Sequence, residues 1–336
     1  MDKNNMATSN KTLIVAEIGN NHEGDFARAQ QLVCEAAACG VDAVKFQVFK
    51  SEYYVSQKDQ ARFRRLKSFE ISYEQFEQLA LLTHSLELQF IATPFDLQSA
   101  EFLTHVADMI KVASGDNNFY PLLKKLAQSG KPLIVSTGVS DEKQVEQTVK
   151  FIRECWSKQG IDGNLILLHC VSAYPTPLDQ VNLHSIPYLA QRFDVEVGYS
   201  DHTMGIEASL LAAVLGAVMI EKHFTLDKNI SDFRDHQLSA DPAEMKRLVE
   251  CVRTLPRMLG EFTKKIQPCE AGMLPGIRRS IVAAKDLSAG YRLSEADLTW
   301  IRPADGLSPG NEHVLLGRVL KRPVVFGEPI FEKDVE

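Results

Sequence analysis

Two lysines and two histidines stand out in this sequence because each falls at the end of a short apolar run. They are Lys45 in VKFQV, Lys111 in IKVASGD, His202 in GYSDHTMG and His223 in IEKHF. Two ammonium groups can hold the two anionic ends of one small molecule, such as a phosphate and a carboxylate. Two imidazoles can share a divalent ion and leave positions open for water or substrate. Taken singly, each histidine is as readily a hydrogen-bonding residue as a ligand. As a pair on neighbouring strand ends they favour a metal, whose identity two histidines do not set. The turns Ser114-Gly115 and Ser136-Thr137-Gly138 offer backbone N–H groups that suit an anion, although such turns also serve as plain helix caps. Lys45 and Gln47 are two residues apart and so share one strand face. Glu17 ends the first run and can serve as acid or base or orient a sugar hydroxyl. Glu221 alternates onto the face of His223, where it can orient a ligand or form a buried salt bridge with a lysine. Asp116 and Asp235 are loop candidates, with turn capping as the competing role. The basic stretch 62–67 (RFRRLK) reads as a solvated face.

Positioning these residues requires a regular frame. Apolar runs recur at 13–18, 43–48, 90–92, 109–112, 133–135, 165–168, 195–199 and 218–220, with helix-like segments between them. Polar clusters follow nearly every run, which predicts a parallel (β/α)8 TIM barrel with its chemistry at the C-terminal strand ends. Helices are expected over 26–39 after an Asp25 cap, from Ser72 toward Ser85, and from Asp241-Pro242 to about 259. The texture then changes. Residues 1–11 read as a polar tail, 12–260 as the barrel, 261–279 as a linker, and 280–336 as a small β-rich module with strands at 280–283, 298–301, 314–316 and 324–326. The 336 residues carry a net charge of −7, which argues against a nucleic-acid binder. No segment is long and apolar enough to span a membrane, and the N-terminus lacks a signal-peptide core. Six scattered cysteines without CxxC spacing suit a reducing, cytoplasmic setting.

Taken together, AEIGNNHEGD (16–25), VKFQ (44–47), ATPFD (92–96), KVASGD (111–116), STG (136–138), HCVSAYPTP (169–177), GYSDHTMGIEAS (198–209) and EKHFTLDK (221–228) resemble the sialic acid synthase family. These are phosphoenolpyruvate-dependent synthases of nine-carbon sugar acids. The tail RRSIVAAKDLSAGYRLSEADLTWIRP (278–303) resembles their C-terminal antifreeze-like (SAF) module. The resemblance implies condensation of phosphoenolpyruvate with an N-acyl-mannosamine-type sugar, in a domain-swapped homodimer. Matched by motif, Lys45, Thr93, Lys111, Ser114, Ser136 and Ser200 would hold phosphoenolpyruvate. His202 and His223 would hold Mn2+ or Mg2+. Gln47, Asp116, Tyr174 and Asp235 would face the amino sugar together with Glu17, and Arg302 would reach it from the other subunit. Asp116 and Ser172 replace the glutamate and asparagine of the bacterial N-acetylneuraminate pattern. SGD and SAYP are more like the animal enzymes, which use a 6-phosphorylated sugar. A diamino-deoxy acceptor of the legionaminate or pseudaminate type is the other alternative. From different classes, a Schiff-base aldolase using Lys45 or Lys111 and a non-catalytic carbohydrate-binding protein remain rivals.

Overall fold

A computed structural model describes residues 11–336; apart from Lys11, the expected polar tail lies outside the described residues. Eight strands close into a barrel in chain order, every neighbouring pair parallel. They are β1 (Leu13–Gly19), β2 (Ala43–Val48), β3 (Gln89–Pro94), β4 (Met109–Val112), β5 (Leu133–Ser136), β6 (Leu165–Cys170), β7 (Glu196–Asp201) and β8 (Met219–His223). The helices between and after them are α1 (Phe26–Ala38), α2 (Ser51–Tyr54), α3 (Gln60–Phe69), α4 (Tyr73–Ser85), α5 (Leu97–Val106), α6 (Tyr120–Gln128), α7 (Glu142–Gln159), α8 (Ser185–Phe193), α9 (Glu207–Val214), α10 (Arg234–Leu238) and α11 (Pro242–Leu259).

Local chemistry explains the main boundaries. Asp25 accepts the Arg28 amide at 3.1 Å and starts α1. Ser72 with Gln75, and Asp241 with Glu244, form reciprocal capping boxes at the starts of α4 and α11. Alternation along each strand sends one set of side chains to the helices and the other into the lumen. Phe46, Phe90, Ile110 and Ile220 join the outer core against the helices, whereas Val15, Ala43, Ile91, Ile134, Ile166, Leu168 and Met219 pack a separate apolar layer within the barrel. Gly198 allows that closure: a Cβ there would stand 2.5 Å from the Met219 carbonyl oxygen and 2.6 Å from Leu168 Cδ2.

The chain divides into two compact units, the first ending at Gly260 and the second spanning Glu261–Glu336. The second opens with two single-turn helices, α12 (Pro268–Ala271) and α13 (Leu274–Ile277), in the stretch whose sequence lacks periodicity. Strands β9 (Ser280–Ala283) and β10 (Leu298–Ile301) pair antiparallel over a core that includes Ile281, Leu293, Leu298, Leu315, Leu320 and Ile330. The strands expected at 314–316 and 324–326 do not form. A 3-10 turn, Glu312–Val314, runs into the first, and Val324 makes a single bridge to Leu287. Gly317 and Gly327, at φ of +76° and +81°, turn the chain immediately after each segment, so Leu315 and Val324 are buried without a continued ladder while Leu316, Val325 and Phe326 stay exposed.

Candidate active site

The lumen changes character toward the C-terminal strand ends. Beyond the apolar layer lies a cavity of 960 Å³ reached by Glu17 from β1, Lys45 and Gln47 from β2, Thr93 from β3, Lys111 from β4, Ser136 from β5, Cys170 from β6, Ser200 from β7, and Glu221 and His223 from β8. At its centre are two enclosed cations and two enclosed carboxylates. Lys111 Nζ donates to both Glu221 oxygens at 3.0 and 3.1 Å. Lys45 Nζ lies 2.8 Å from Glu17 Oε2 in an ion contact, 3.8 Å from Glu221, and donates to Thr93 Oγ1 at 3.2 Å. Ser200 Oγ donates to Glu221 Oε1 at 2.8 Å. Asn20 donates to Gln47 at 2.9 Å, and Gln47 in turn donates to Glu17 at 3.0 Å.

These contacts set the charges. Burial opposes ionisation of Glu221, but Lys111, Lys45 and the Ser200 hydroxyl hold its carboxyl well below the usual range. Burial also acts against the Lys45 ammonium, and Glu17 with Glu221 more than offsets it, raising Lys45. Lys111 is pushed down by burial and by Lys45, with Glu221 acting the other way. The Lys111 and Glu221 shifts pull a shared pair in different senses. Two nitrogen–oxygen contacts near 3 Å, plus a hydroxyl, favour the ionised pair.

The two histidine rings lie 5.5 Å apart by centroid, with the Tyr174 ring 4.1 Å from that of His202. His202 Nδ1 is 2.8 Å from the Val171 carbonyl, which can only accept, so Nδ1 carries a proton and Nε2 has the lone pair whenever the ring is neutral. A carbonyl that fixes the tautomer in this way is a common support for a metal-binding histidine. His223 Nδ1 is buried without a hydrogen-bond partner among the described residues, and burial keeps that ring below the usual imidazole range. For His202 burial acts in the same direction, but the Cys170 sulfur, the Val171 carbonyl and Glu221 lift it overall. A free lone pair, an unpartnered ring nitrogen and nearby carboxylates fit a divalent cation. Among the described residues no cluster of three or more His, Cys, Asp or Glu joins them, so two protein ligands would leave open positions.

Comparison with known proteins places this arrangement. The model of the NeuB family matches residues 32–264, and that of the SAF domain matches 278–336. The chain belongs to the NeuB family. An uncharacterised protein of Methanocaldococcus jannaschii is 42% identical over 325 residues, covering 96% of this chain and 94% of its own length. The N,N'-diacetyllegionaminic acid synthase of Campylobacter jejuni is 38% identical over 323 residues, covering 92% and 96%. The crystal structure of N-acetylneuraminic acid (sialic acid) synthetase from Leptospira borgpetersenii, in complex with citrate, superposes with a TM-score of 0.72 at 33% identity, covering 79% of this chain and 90% of that one.

In this NeuB-family chain, the candidate site residues from the sequence line the same cavity, except Thr137 and Gly138 of the Ser136 turn and Arg302. Arg302 follows β10 in the second unit, where it is exposed. Asp235, expected on a loop, sits in the first turn of α10. Asp116 sits in a 3-10 turn after β4, and burial pushes its carboxyl up to about 6. Glu221 is a salt-bridge partner of Lys111, one of the two roles open to it from sequence. The basic stretch is only partly the solvated face expected: Arg62 and Arg65 are exposed, but they also line the cavity from α3. Sequence reading also passed over the Tyr54, Leu66, Phe69, Phe95 and Phe233 wall. Its only signal was an aromatic or leucine in each of four separate loops and short helices.

Proposed function

We propose that this protein condenses phosphoenolpyruvate with an N-acyl amino sugar in its open-chain aldehyde form, giving a nine-carbon 2-keto acid and phosphate. The observation that carries the reading is the convergence of Lys45, Lys111 and the hydroxyls of Thr93, Ser136 and Ser200 on one enclosed lumen that also holds His202 and His223. Lys45 and Lys111 meet the phosphate and carboxylate of phosphoenolpyruvate, joined by Ser114, while Glu221 keeps the Lys111 ammonium aimed inward. Glu17, tied to Lys45 and Gln47, is within reach of the reacting centre to hold or move a proton. Gln47, Asp116, Tyr174 and Asp235 face the sugar. A divalent ion such as Mn2+ or Mg2+, held by His202 and His223, would polarise the aldehyde oxygen. The methylene carbon attacks the aldehyde carbon and forms the new C–C bond. Water adds to the resulting oxocarbenium carbon and loses one proton while the former aldehyde oxygen gains one. The C–O bond to phosphate then breaks, and the proton of the remaining hydroxyl passes to the departing phosphate to leave the ketone.

The cavity wall bears on the acceptor. Tyr54 stacks on Phe95 at 4.4 Å between centroids, and Phe69 meets Phe233 edge-on at 5.2 Å. Arg234 packs over Tyr174 at 4.8 Å and pairs with Asp235 at 3.2 Å, and Arg62 lies over Tyr54 at 5.7 Å. The apolar rings suit acyl and deoxy methyl groups and favour a diacylated, deoxy acceptor of the legionaminate type. Arg65, which lines the cavity without an ion-pair partner among the described residues, is the feature that favours a 6-phosphate. In the cytoplasmic homodimer we propose, Arg302 reaches the sugar from a second copy.

The test is phosphate release on mixing phosphoenolpyruvate with N-acetylmannosamine, its 6-phosphate and 2,4-diacetamido-2,4,6-trideoxymannose. In 18O-water the label should enter the keto acid and not the phosphate. No release with any acceptor overturns the proposal. The lowered Lys111 is the one feature that favours a Schiff-base aldolase instead. Covalent trapping by borohydride with pyruvate would decide for that rival.

A further inference from the structure

Behind the two histidines lies a charged pair that the reaction above does not use. Asp201 and Lys222 are the last residues in register between β7 and β8. Alternation turns them away from the lumen that Ser200, His202, Glu221 and His223 line. Both are enclosed, at 0% and 1% exposure. Charges this deep are unfavourable unless partners complete them, and here they do. Lys222 Nζ meets Asp201 Oδ2 at 3.0 Å and donates to the Thr203 carbonyl at 2.7 Å. Asp201 Oδ2 also accepts from Ser209 Oγ of α9 at 2.6 Å. Asp201 Oδ1 accepts the Thr203 amide and hydroxyl, each at 2.8 Å, and the Tyr199 hydroxyl at 3.3 Å.

What this network grips is specific. β7 ends at Asp201, so His202 lies just past the β7–β8 ladder. The sequence neighbours of His202, Asp201 and Thr203, are both fastened to Lys222, which is itself the neighbour of His223. The chain segment bearing one imidazole is thus bolted to the segment bearing the other from outside the barrel wall. A packed apolar pair could fill the same space, but it could not hold both the amide and the carbonyl of Thr203. We infer that the buried Asp201–Lys222 ion pair is a positioning device that fixes His202 and His223 at the separation a shared divalent cation requires. This rests on reading the histidine pair as the cation site.

The experiment measures Mn2+ affinity of the full-length protein by electron paramagnetic resonance, together with phosphoenolpyruvate affinity by calorimetry and melting temperature. The wild type, His202→Ala, Lys222→Met, Lys222→Arg and the double variant Asp201→Asn/Lys222→Met are compared. The double variant leaves no lone buried charge, so it reports on positioning even if Lys222→Met fails to fold. We expect Mn2+ affinity to fall about tenfold or more in the folded double variant, the scale seen when supports of metal ligands are removed. Phosphoenolpyruvate affinity should be unchanged, and Lys222→Arg should restore Mn2+ binding. A double variant that melts earlier but binds Mn2+ like the wild type would show a merely structural pair and overturn the inference alone. A wild type that binds no Mn2+, or binds it equally well after His202→Ala, would overturn the histidine reading and this inference with it.

Discussion

The lower and upper halves of the barrel lumen are built by the same strands and obey opposite rules. Val15, Ala43, Ile91, Ile134 and Met219 form part of the lower layer, an apolar plug. Two residues further along those same strands stand Glu17, Lys45, Thr93, Ser136 and Glu221. The step is about 7 Å along each strand. The lower layer is held by packing and exclusion of water, which tolerate no polar atom. The upper layer is held by ion pairs whose net contribution to stability is small or negative, because both partners lose their hydration. A barrel can therefore place reactive charge in its lumen only above a layer that secures the fold without it.

The difference can be broken most sharply at the metal end. His202→Ala or His223→Ala should lower turnover about a thousandfold or more, from loss of several kcal/mol of transition-state stabilisation, with little change in melting temperature. Near-normal phosphate release would deny the upper layer its chemical role. The central pair comes next. Lys111→Met leaves Glu221 with only its longer contact to Lys45 and Ser200, and should destabilise the fold by about 3–5 kcal/mol in denaturant melts. Lys111→Met/Glu221→Gln should regain most of that stability and no turnover, separating fold from chemistry at one site. Below, Leu168→Ala opens a cavity in the apolar plug and should cost about 2–5 kcal/mol. Its kcat should stay within a few fold, and a large loss would mean that the two halves are not independent.

The smallest effect is a pH limb. Asp116 is raised from 3.8 to about 6 by burial, so it is protonated in the folded protein below that pH. Acceptor kcat/KM should fall as pH drops through about 6, and Asp116→Asn should remove that limb; a profile unchanged by the substitution would detach Asp116 from the sugar. For stability the sign is opposite. A folded value above the unfolded one favours the folded state at low pH, and that contribution disappears as pH rises from 3.8 through about 6.

Much of the frame was legible because strand alternation and helix caps are local signals. The run at 43–48 is β2, and Asp25, Ser72 and Asp241 cap helices where expected. The segments at 314–316 and 324–326 misled because each anchors a single side chain in the core, Leu315 and Val324, while Leu316, Val325 and Phe326 are exposed, and pairing depends on what lies beside a segment. Arg62 and Arg65 looked like surface because nothing near them in sequence shows that α3 borders the cavity.

By itself the sequence determined which residues occupy the C-terminal strand ends and which face they share, since a period of two is written into neighbouring positions. Tertiary structure alone decided the partners: Lys111 with Glu221, 110 residues apart, and Asp201 with Lys222 behind the histidines. Those pairings exist only once the eight strands close on one another, because closure brings distant carboxylates within reach of buried ammonium groups that would otherwise stand uncompensated.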